Sequence, residues 1–412
     1  MKVRFDQLVM SIAQALDMVE IELLEATTNH GKRIAALCSA MGRQLGYSKS
    51  ELSALSACAL LHDNALTEYI QSEWSGQLDQ IHIHAILGQR NVNNLPFDVD
   101  VSDYILHHHE RADGRGLFGK REGECSPGSE LIAIADRIDV RNNLQSMSAD
   151  DLPALRAKIS AGAGTDFTTR ASSAMLAVLD ADMLASLRDD RIAETAQHLI
   201  PAVEVEIGNS AIFHLARLAT LIIDYKSKFT KKHTLQIANR TWLMCEYYNM
   251  ERPLRLRVYL AAALHDLGKL GTPLSILEKP GKLEMREFEI IKAHVSLTHQ
   301  LLRGISGLED VCDWASNHHE KLNGSGYPAG KSGDQLDFIS RLLACVDIYQ
   351  AVSEDRPYHP GRSHSETMSI LYSMATKGFI DERIVKDIDV VMAEYSGRDV
   401  PSPDVTFADI DI

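Results

Sequence analysis

Histidine and aspartate residues recur at fixed intervals in this 412-residue chain, and their types suit metal binding. In the second half, a lone histidine precedes a His-Asp pair, another histidine, a His-His pair and a later aspartate. Imidazole and carboxylate groups together suit divalent first-row metals such as manganese, iron or zinc. The predicted metal ligands are His233, His265, Asp266, His294, His318, His319 and Asp347.

The first half repeats this order. The lone histidine precedes the His-Asp pair by 32 residues in both halves, and the later histidine precedes the His-His pair by 24 in both. Such a repeat predicts two tandem domains, at residues 1–200 and 201–412. The candidate second metal site consists of His30, His62, Asp63, His84, His108, His109 and Asp136.

A carboxylate has two oxygens and can bridge two ions, and a pair of metals about 3.5–4 Å apart is the usual clamp for attack at phosphorus. The attacking group would be a hydroxide that bridges the two ions. We assign Asp266 to both ions. The first would also bind His233, His265 and Asp347, and the second His294, His318 and His319.

Other residues near these ligands are predicted to contact a phosphate-bearing substrate. Lys269 follows Asp266 by three residues, on the same helical face, and can neutralise a phosphate oxygen as charge develops. The glycine-rich loop in "HHEKLNGSGYP" can place Tyr327 over a base or sugar. Arg356, in "EDRPYHP", offers a fork suited to phosphate or guanine. We therefore predict Asp266 and Lys269 as catalytic residues, and Tyr327 and Arg356 as substrate-binding residues.

Apolar residues recur mostly at the helical period, so we predict an all-α fold of two helical domains. Asp and Glu number 57 against 42 Lys and Arg, a net charge of −15, which argues against nucleic-acid polymers and anionic membranes as partners. Six scattered cysteines without a paired motif predict a reducing, cytoplasmic location. No apolar stretch reaches the length of roughly 18 residues that a membrane helix needs.

The combination of "HDLGKL", "HHEKLNGSGYP" and "VDIYQAVSEDRPY" resembles the HD-GYP family of bacterial cyclic dinucleotide phosphodiesterases, over most of residues 229–390. The resemblance implies the helical fold of the HD superfamily, a centre of two or three metal ions, and hydrolysis of cyclic di-GMP or a related dinucleotide such as cyclic GMP-AMP. By position, the seven predicted ligands match the family's ligands. Lys269, Tyr327 and Arg356 match its phosphate- and base-contacting residues.

Three positions depart from the family pattern. Phe229 stands where some members carry a glutamate that helps hold a third ion, which favours two ions, manganese or iron, in this copy. Gln350 stands where the family often has a second aspartate, three residues after Asp347, and this affects a contact behind the ligands. His359 ends the motif that the family ends with arginine, which weakens one substrate cation at neutral pH.

The first half keeps the ligand types but not the substrate contacts. Leu66 stands in the place of Lys269, Leu117 in that of Tyr327, and Gln145 in that of Arg356. We therefore expect a degenerate copy with a regulatory or structural role, which can still hold further ions.

Three functional hypotheses share this metal core. The first is a phosphodiesterase that opens a cyclic dinucleotide. The second is a non-catalytic regulatory module that binds the dinucleotide or a partner such as a cyclase domain; Gln350 and His359 motivate it. The third is another HD hydrolase acting on nucleotides, against which the GYP loop argues. The choice of dinucleotide, the product, the metal and a homodimer stay open at this point.

Overall fold

The structure is a computed structural model that describes residues 1–24, 27–66, 80–227, 232–354 and 361–403. Phe229, Arg356 and His359 lie outside these residues. Within them the regular secondary structure is helical apart from one two-stranded sheet, in which β1 (Lys2–Arg4) pairs with β2 (Glu204–Glu206). The predicted all-α fold is confirmed. None of the helices in the described ranges is both long and apolar enough to cross a membrane.

The chain forms two compact units, Lys2–Val205 and Glu206–Ile412, the second also including Met1. The helices of the first unit, with bounds as the structure has them, are α1 (Phe5–Leu24), α2 (His30–Gln44), α3 (Lys49–Leu60), α4 (Gln80–Val92), α5 (Pro127–Asn142), α6 (Leu152–Gly162), α7 (Thr169–Val178), α8 (Ala181–Ser186) and α9 (Ile192–Leu199). Two short 3₁₀ helices, Leu144–Ser146 and Ala149–Asp151, lie between α5 and α6.

The second unit follows a similar order. Its helices are α10 (Asn209–Asp224), α11 (His233–Tyr247), α12 (Arg252–Leu264), α13 (Leu274–Leu277), α14 (Met285–Leu302), α15 (Glu309–Ser316), α16 (Phe338–Ser353), α17 (His364–Thr376) and α18 (Glu382–Met392). Its 3₁₀ helices are Leu267–Gly271, Gly333–Gln335 and Ala393–Tyr395.

Each unit is built around one buried helix that begins at the first predicted ligand. In the first unit this is α2, which is buried from His30 to Gly42 and packs against α3, α5, α7 and α9. In the second it is α11, which packs against α10, α12, α16 and α18. A helix that is buried on all sides lies at the centre of its domain. The first histidine of each set is thereby placed at the N-terminal end of the central helix.

The His-Asp pair of the second unit lies where α12 ends and a tight 3₁₀ turn begins. The N–H of Gly268, in that turn, donates to the hydroxyl of Thr298 (2.9 Å), and this hydroxyl donates to the carbonyl of His265 (3.0 Å). A Cβ atom on Gly268 would overlap the carbonyl oxygen of His294, because the backbone of α14 approaches so closely. This contact brings His265 and Asp266 beside His294.

We expect Gly268→Ala to lower the free energy of unfolding by about 1–3 kcal/mol, the usual cost of overpacking a tight contact. Urea unfolding followed by circular dichroism would measure the change. Gly333→Ala is the matched control, since a Cβ atom there makes only an ordinary contact, 3.5 Å from a side-chain carbon of Leu322. Equal stability of the two variants would contradict the proposed close approach.

Candidate metal centre

The structure brings all seven predicted ligands of the second unit together. Two groups of three side chains each place their ligand atoms within 4.8 Å of one another. Their members are His233, His265 and Asp347 in the first group, and His294, His318 and His319 in the second. A third such group, formed by His265, Asp266 and His318, joins them. The two groups are those expected from the sequence for two separate ions.

The carboxylate of Asp266 lies between the two groups. Its Oδ2 atom is 3.1 Å from Nε2 of His265 and 3.9 Å from Nε2 of His233. Its Oδ1 atom is 3.3 Å from Nε2 of His294 and 3.9 Å from Nε2 of His318. The two oxygens therefore face different groups of imidazoles, as a bridging carboxylate requires.

Backbone carbonyls fix the orientation of three of these rings. The Nδ1 atoms of His265, His294 and His318 each lie 2.6–2.7 Å from the carbonyl oxygen three residues earlier. A carbonyl can only accept, so Nδ1 carries a hydrogen and Nε2 faces Asp266. Hydrogen bonds of this kind set the tautomer and direction of metal-binding histidines.

Glu354, which the sequence did not single out, performs this task for His233. Its Oε2 atom lies 2.6 Å from Nδ1 of His233. Gln350, at the position where the family often has aspartate, instead accepts from Nε of Arg240 at 2.7 Å. A carboxylate two helical turns after Asp347 was the only sequence signal for this contact.

The electrostatics of the cluster favour a bound cation. Burial by itself would raise the pKa of Asp266, but His265 and Lys269 outweigh it and hold that pKa well below its ordinary value. Burial lowers the pKa of His318 well below its usual range and that of His319 to about 3, so both rings are neutral near pH 7. The carboxylate of Asp266 is therefore charged, and the lone pairs of His318 and His319 are free to bind.

Two buried atoms at the centre support the same interpretation. Nε2 of His265 and Oδ1 of Asp266 form no hydrogen bond with acceptable geometry, although both are inaccessible to solvent. Buried polar atoms without partners are costly unless an ion or water satisfies them. The charged carboxylates, the neutral rings of His318 and His319 and the unsatisfied atoms together fit divalent cations.

The predicted substrate contacts that lie in the described residues are at the rim of this cluster. Nζ of Lys269 is 2.5 Å from Oδ2 of Asp266, and its side chain is partly exposed. The ring of Tyr327 lies 4.8 Å from that of His319. The carboxylate of Glu320 accepts from the backbone N–H groups of Ala329 (2.7 Å) and Lys331 (2.9 Å), and so holds the loop that carries Tyr327.

The seven predicted ligands of the first unit also converge. Oδ1 of Asp63 is 3.3 Å from Nε2 of His84, and its Oδ2 is 3.5 Å from Nε2 of His62. The ligand atoms of two groups lie within 4.8 Å of one another, namely His30, His62 and Asp63, and His84, His108 and His109. Asp136 is 3.3 Å from His30. The arrangement around Asp63 thus repeats that around Asp266.

The surroundings of the cluster in the first unit differ from those of the cluster in the second unit. Asp139, three residues after Asp136, lies 2.7 Å from Nδ1 of His30 and also pairs with the buried Arg33. Glu20, on α1, is buried near the cluster and its Oε2 atom has no hydrogen-bond partner. Neither carboxylate was predicted from the sequence, because neither belongs to the repeated pattern.

The rim of the first cluster lacks the cation and the tyrosine of the other copy. Leu66 and Leu117 are only partly exposed, and the carbonyl oxygen of Leu117 lies 2.6 Å from Nε2 of His82. The ring of Phe118 packs 5.3 Å from that of His82. The loop of the first unit is therefore packed against α4 by side chains that offer no phosphate contact.

The chain is similar to known HD domain proteins and to named cyclic dinucleotide phosphodiesterases. The family model described as HD domain matches residues 14–140 and 217–384. A relative from Vibrio cholerae serotype O1, named 3'3'-cGAMP-specific phosphodiesterase 1, is 28% identical over 385 residues, which cover 90% of this chain and 88% of the relative. A cyclic di-GMP phosphodiesterase from Pseudomonas aeruginosa is 31% identical over 194 residues, 46% of each chain.

A solved structure shares the fold over nearly the full length. It is the crystal structure of a cyclic GMP-AMP-specific phosphodiesterase of V. cholerae, with a TM-score of 0.65, 22% sequence identity, and coverage of 95% of this chain and 98% of the other. The family model matches one segment in each half and more than half of the chain in total. The protein therefore belongs to the HD domain family, as a tandem HD-GYP protein.

Proposed function

We propose that this protein is a metal-dependent phosphodiesterase that hydrolyses a 3′,3′-cyclic dinucleotide in its second unit. The observation that carries the proposal is the position of Asp266, whose two oxygens face two groups of imidazoles. In the reaction, water adds to phosphorus, the bond between phosphorus and O3′ breaks, and the released O3′ takes a proton. Cyclic GMP-AMP is our first choice of substrate, because the relative that is similar over most of its length is named for it.

Two divalent ions, manganese or iron, would be held by the seven side chains. His233, His265 and Asp347 would bind one, His294, His318 and His319 the other, and Asp266 both. Such ions lower the pKa of water and stabilise negative charge on a phosphoryl group. The carbonyls and Glu354 behind the histidines keep the Nε2 atoms directed inward.

Lys269 and Tyr327 would act on the substrate directly. An ammonium group beside Asp266 can stabilise a non-bridging phosphate oxygen as its charge grows. Burial raises the pKa of Tyr327, so its hydroxyl stays protonated and the ring can stack on a base. Arg356 is proposed as a further phosphate or base contact on the sequence motif alone.

The first unit would have a structural or regulatory role. Its ligand cluster can hold ions, but Leu66 and Leu117 provide no charge or stacking surface for a dinucleotide. The packed loop beside His82 supports this assignment. A cyclase-domain partner and a homodimer stay predictions from the sequence.

We expect Asp266→Ala to remove bound metal and lower turnover by more than about a hundredfold, since even residues behind metal ligands contribute 10–100-fold. The measurement is metal analysis of anaerobically purified protein together with chromatographic product analysis on cyclic di-GMP and cyclic GMP-AMP. Asp63→Ala, the matched change in the first unit, should reduce turnover less. A wild-type protein that carries metal but opens neither dinucleotide would identify a non-catalytic binding module instead.

Lys269→Met should separate catalysis from metal binding. We expect kcat to fall by about 10²–10³, the usual effect of losing a group that stabilises transition-state charge, while metal content stays at the wild-type level. Steady-state kinetics and metal analysis on the same preparation test this. Loss of metal in this variant would mean that Lys269 supports the cluster rather than the substrate.

Glu354→Ala should weaken metal binding and turnover by about 10–100-fold, because Nδ1 of His233 loses its acceptor. The double variant Glu354→Ala with Gln350→Asp should recover much of the loss. It recreates the arrangement of the first unit, where an aspartate three residues after Asp136 contacts the first histidine. Gln350→Asp alone is the control. Full metal occupancy in Glu354→Ala would exclude the positioning role.

A further inference from the structure

Helix α14 carries both a predicted metal ligand and unusually exposed apolar side chains. Met285 is 84% exposed and Phe288 46% exposed, in the turns that precede His294. Lys292 follows Phe288 by four residues and therefore lies on the same face of the helix.

The side chain of Lys292 lies between two aromatic rings. Its Nζ atom is 5.6 Å from the ring centroid of Phe288 and 5.3 Å from that of Tyr327. The ring of Tyr327 in turn lies 4.8 Å from that of His319. An aromatic ring, a cation and a second aromatic ring thus form a continuous row that ends at a predicted ligand.

The ammonium group of Lys292 is available to pair with a ligand. Lys292 pairs with Glu289 at 2.9 Å, but the Glu289 side chain is 62% exposed. An exposed ion pair of this kind contributes little to stability, typically less than about 1 kcal/mol. A phosphate can therefore replace the carboxylate of Glu289 as the partner of Lys292 with little loss of stability of the folded protein.

We propose that Phe288, Lys292 and Tyr327 form a second part of the substrate site, which binds the half of the cyclic dinucleotide that is not being cleaved; this rests on the proposed function. One base stacks on the exposed ring of Phe288, and the ammonium of Lys292 pairs with the non-reacting phosphate. Aromatic side chains stack on any base, and a nearby cation holds the backbone. Such a row suits a ligand with two bases and two phosphates.

The first unit provides an internal comparison. His82 occupies the position of Lys292, two residues before the third histidine of the set. Its Nε2 atom lies 2.6 Å from the carbonyl oxygen of Leu117, so the ring faces the loop. The first unit therefore has neither the lysine nor the tyrosine of this row.

The test compares Phe288→Ala and Lys292→Ala with Met285→Ala, an exposed apolar control on the same helix. We expect KM for cyclic GMP-AMP to rise about fivefold to a hundredfold in the first two variants, the effect of losing one stacked base or one phosphate contact. The change in kcat should be smaller. Met285→Ala should keep the wild-type KM. Unchanged KM in both Phe288→Ala and Lys292→Ala would overturn the proposal.

A second measurement separates this proposal from the proposed function. Hydrolysis of bis(p-nitrophenyl) phosphate, which has no nucleobase, reports whether the wild-type centre cleaves phosphodiesters at all. If the wild type turns over no substrate, calorimetric binding of cyclic GMP-AMP decides the present proposal. Weaker binding in the two variants than in the wild type would support it, and equal or absent binding would overturn it.

Discussion

The carboxylate of Asp266 lies between two groups of buried imidazoles, and the second unit is arranged around it. Removing so many polar groups from water is costly unless each finds a partner. Backbone carbonyls satisfy the outer nitrogens of His265, His294 and His318, and Glu354 satisfies that of His233, while their inner nitrogens converge on the carboxylate. Gly268 makes this possible, because only a residue without a side chain lets α14 approach the His-Asp turn.

The two units keep the same inner arrangement but satisfy its outer side differently. In the first unit, Asp139 holds the first histidine and also binds Arg33. In the second, Glu354 holds the histidine, while Gln350 accepts from Arg240. The requirement is for an acceptor at Nδ1, and a carboxylate from either position can meet it. A departure from the family pattern at Gln350 therefore does not remove the contact.

Residue type and spacing were enough to predict the all-α fold and both clusters, because the ligands recur at equal intervals in two copies. The structure brings the seven side chains of each set together within their own unit, and their binding of metal stays a prediction. Glu354, Lys292 and Phe288 were missed because their roles depend on helix direction and on the approach of a distant loop. Arg356 lies outside the described residues, so its role rests on its motif.

One contact is identical in both units and carries no chemistry of its own. Glu110 and Glu320, each directly after the His-His pair, use both carboxylate oxygens to bind two backbone N–H groups of the following loop. The loop conformation is thus set by a residue that both units retain. The two units thus share this loop scaffold and differ in the side chains at its rim, where Leu117 stands in place of Tyr327. Such a scaffold is a suitable starting point for engineering a new specificity.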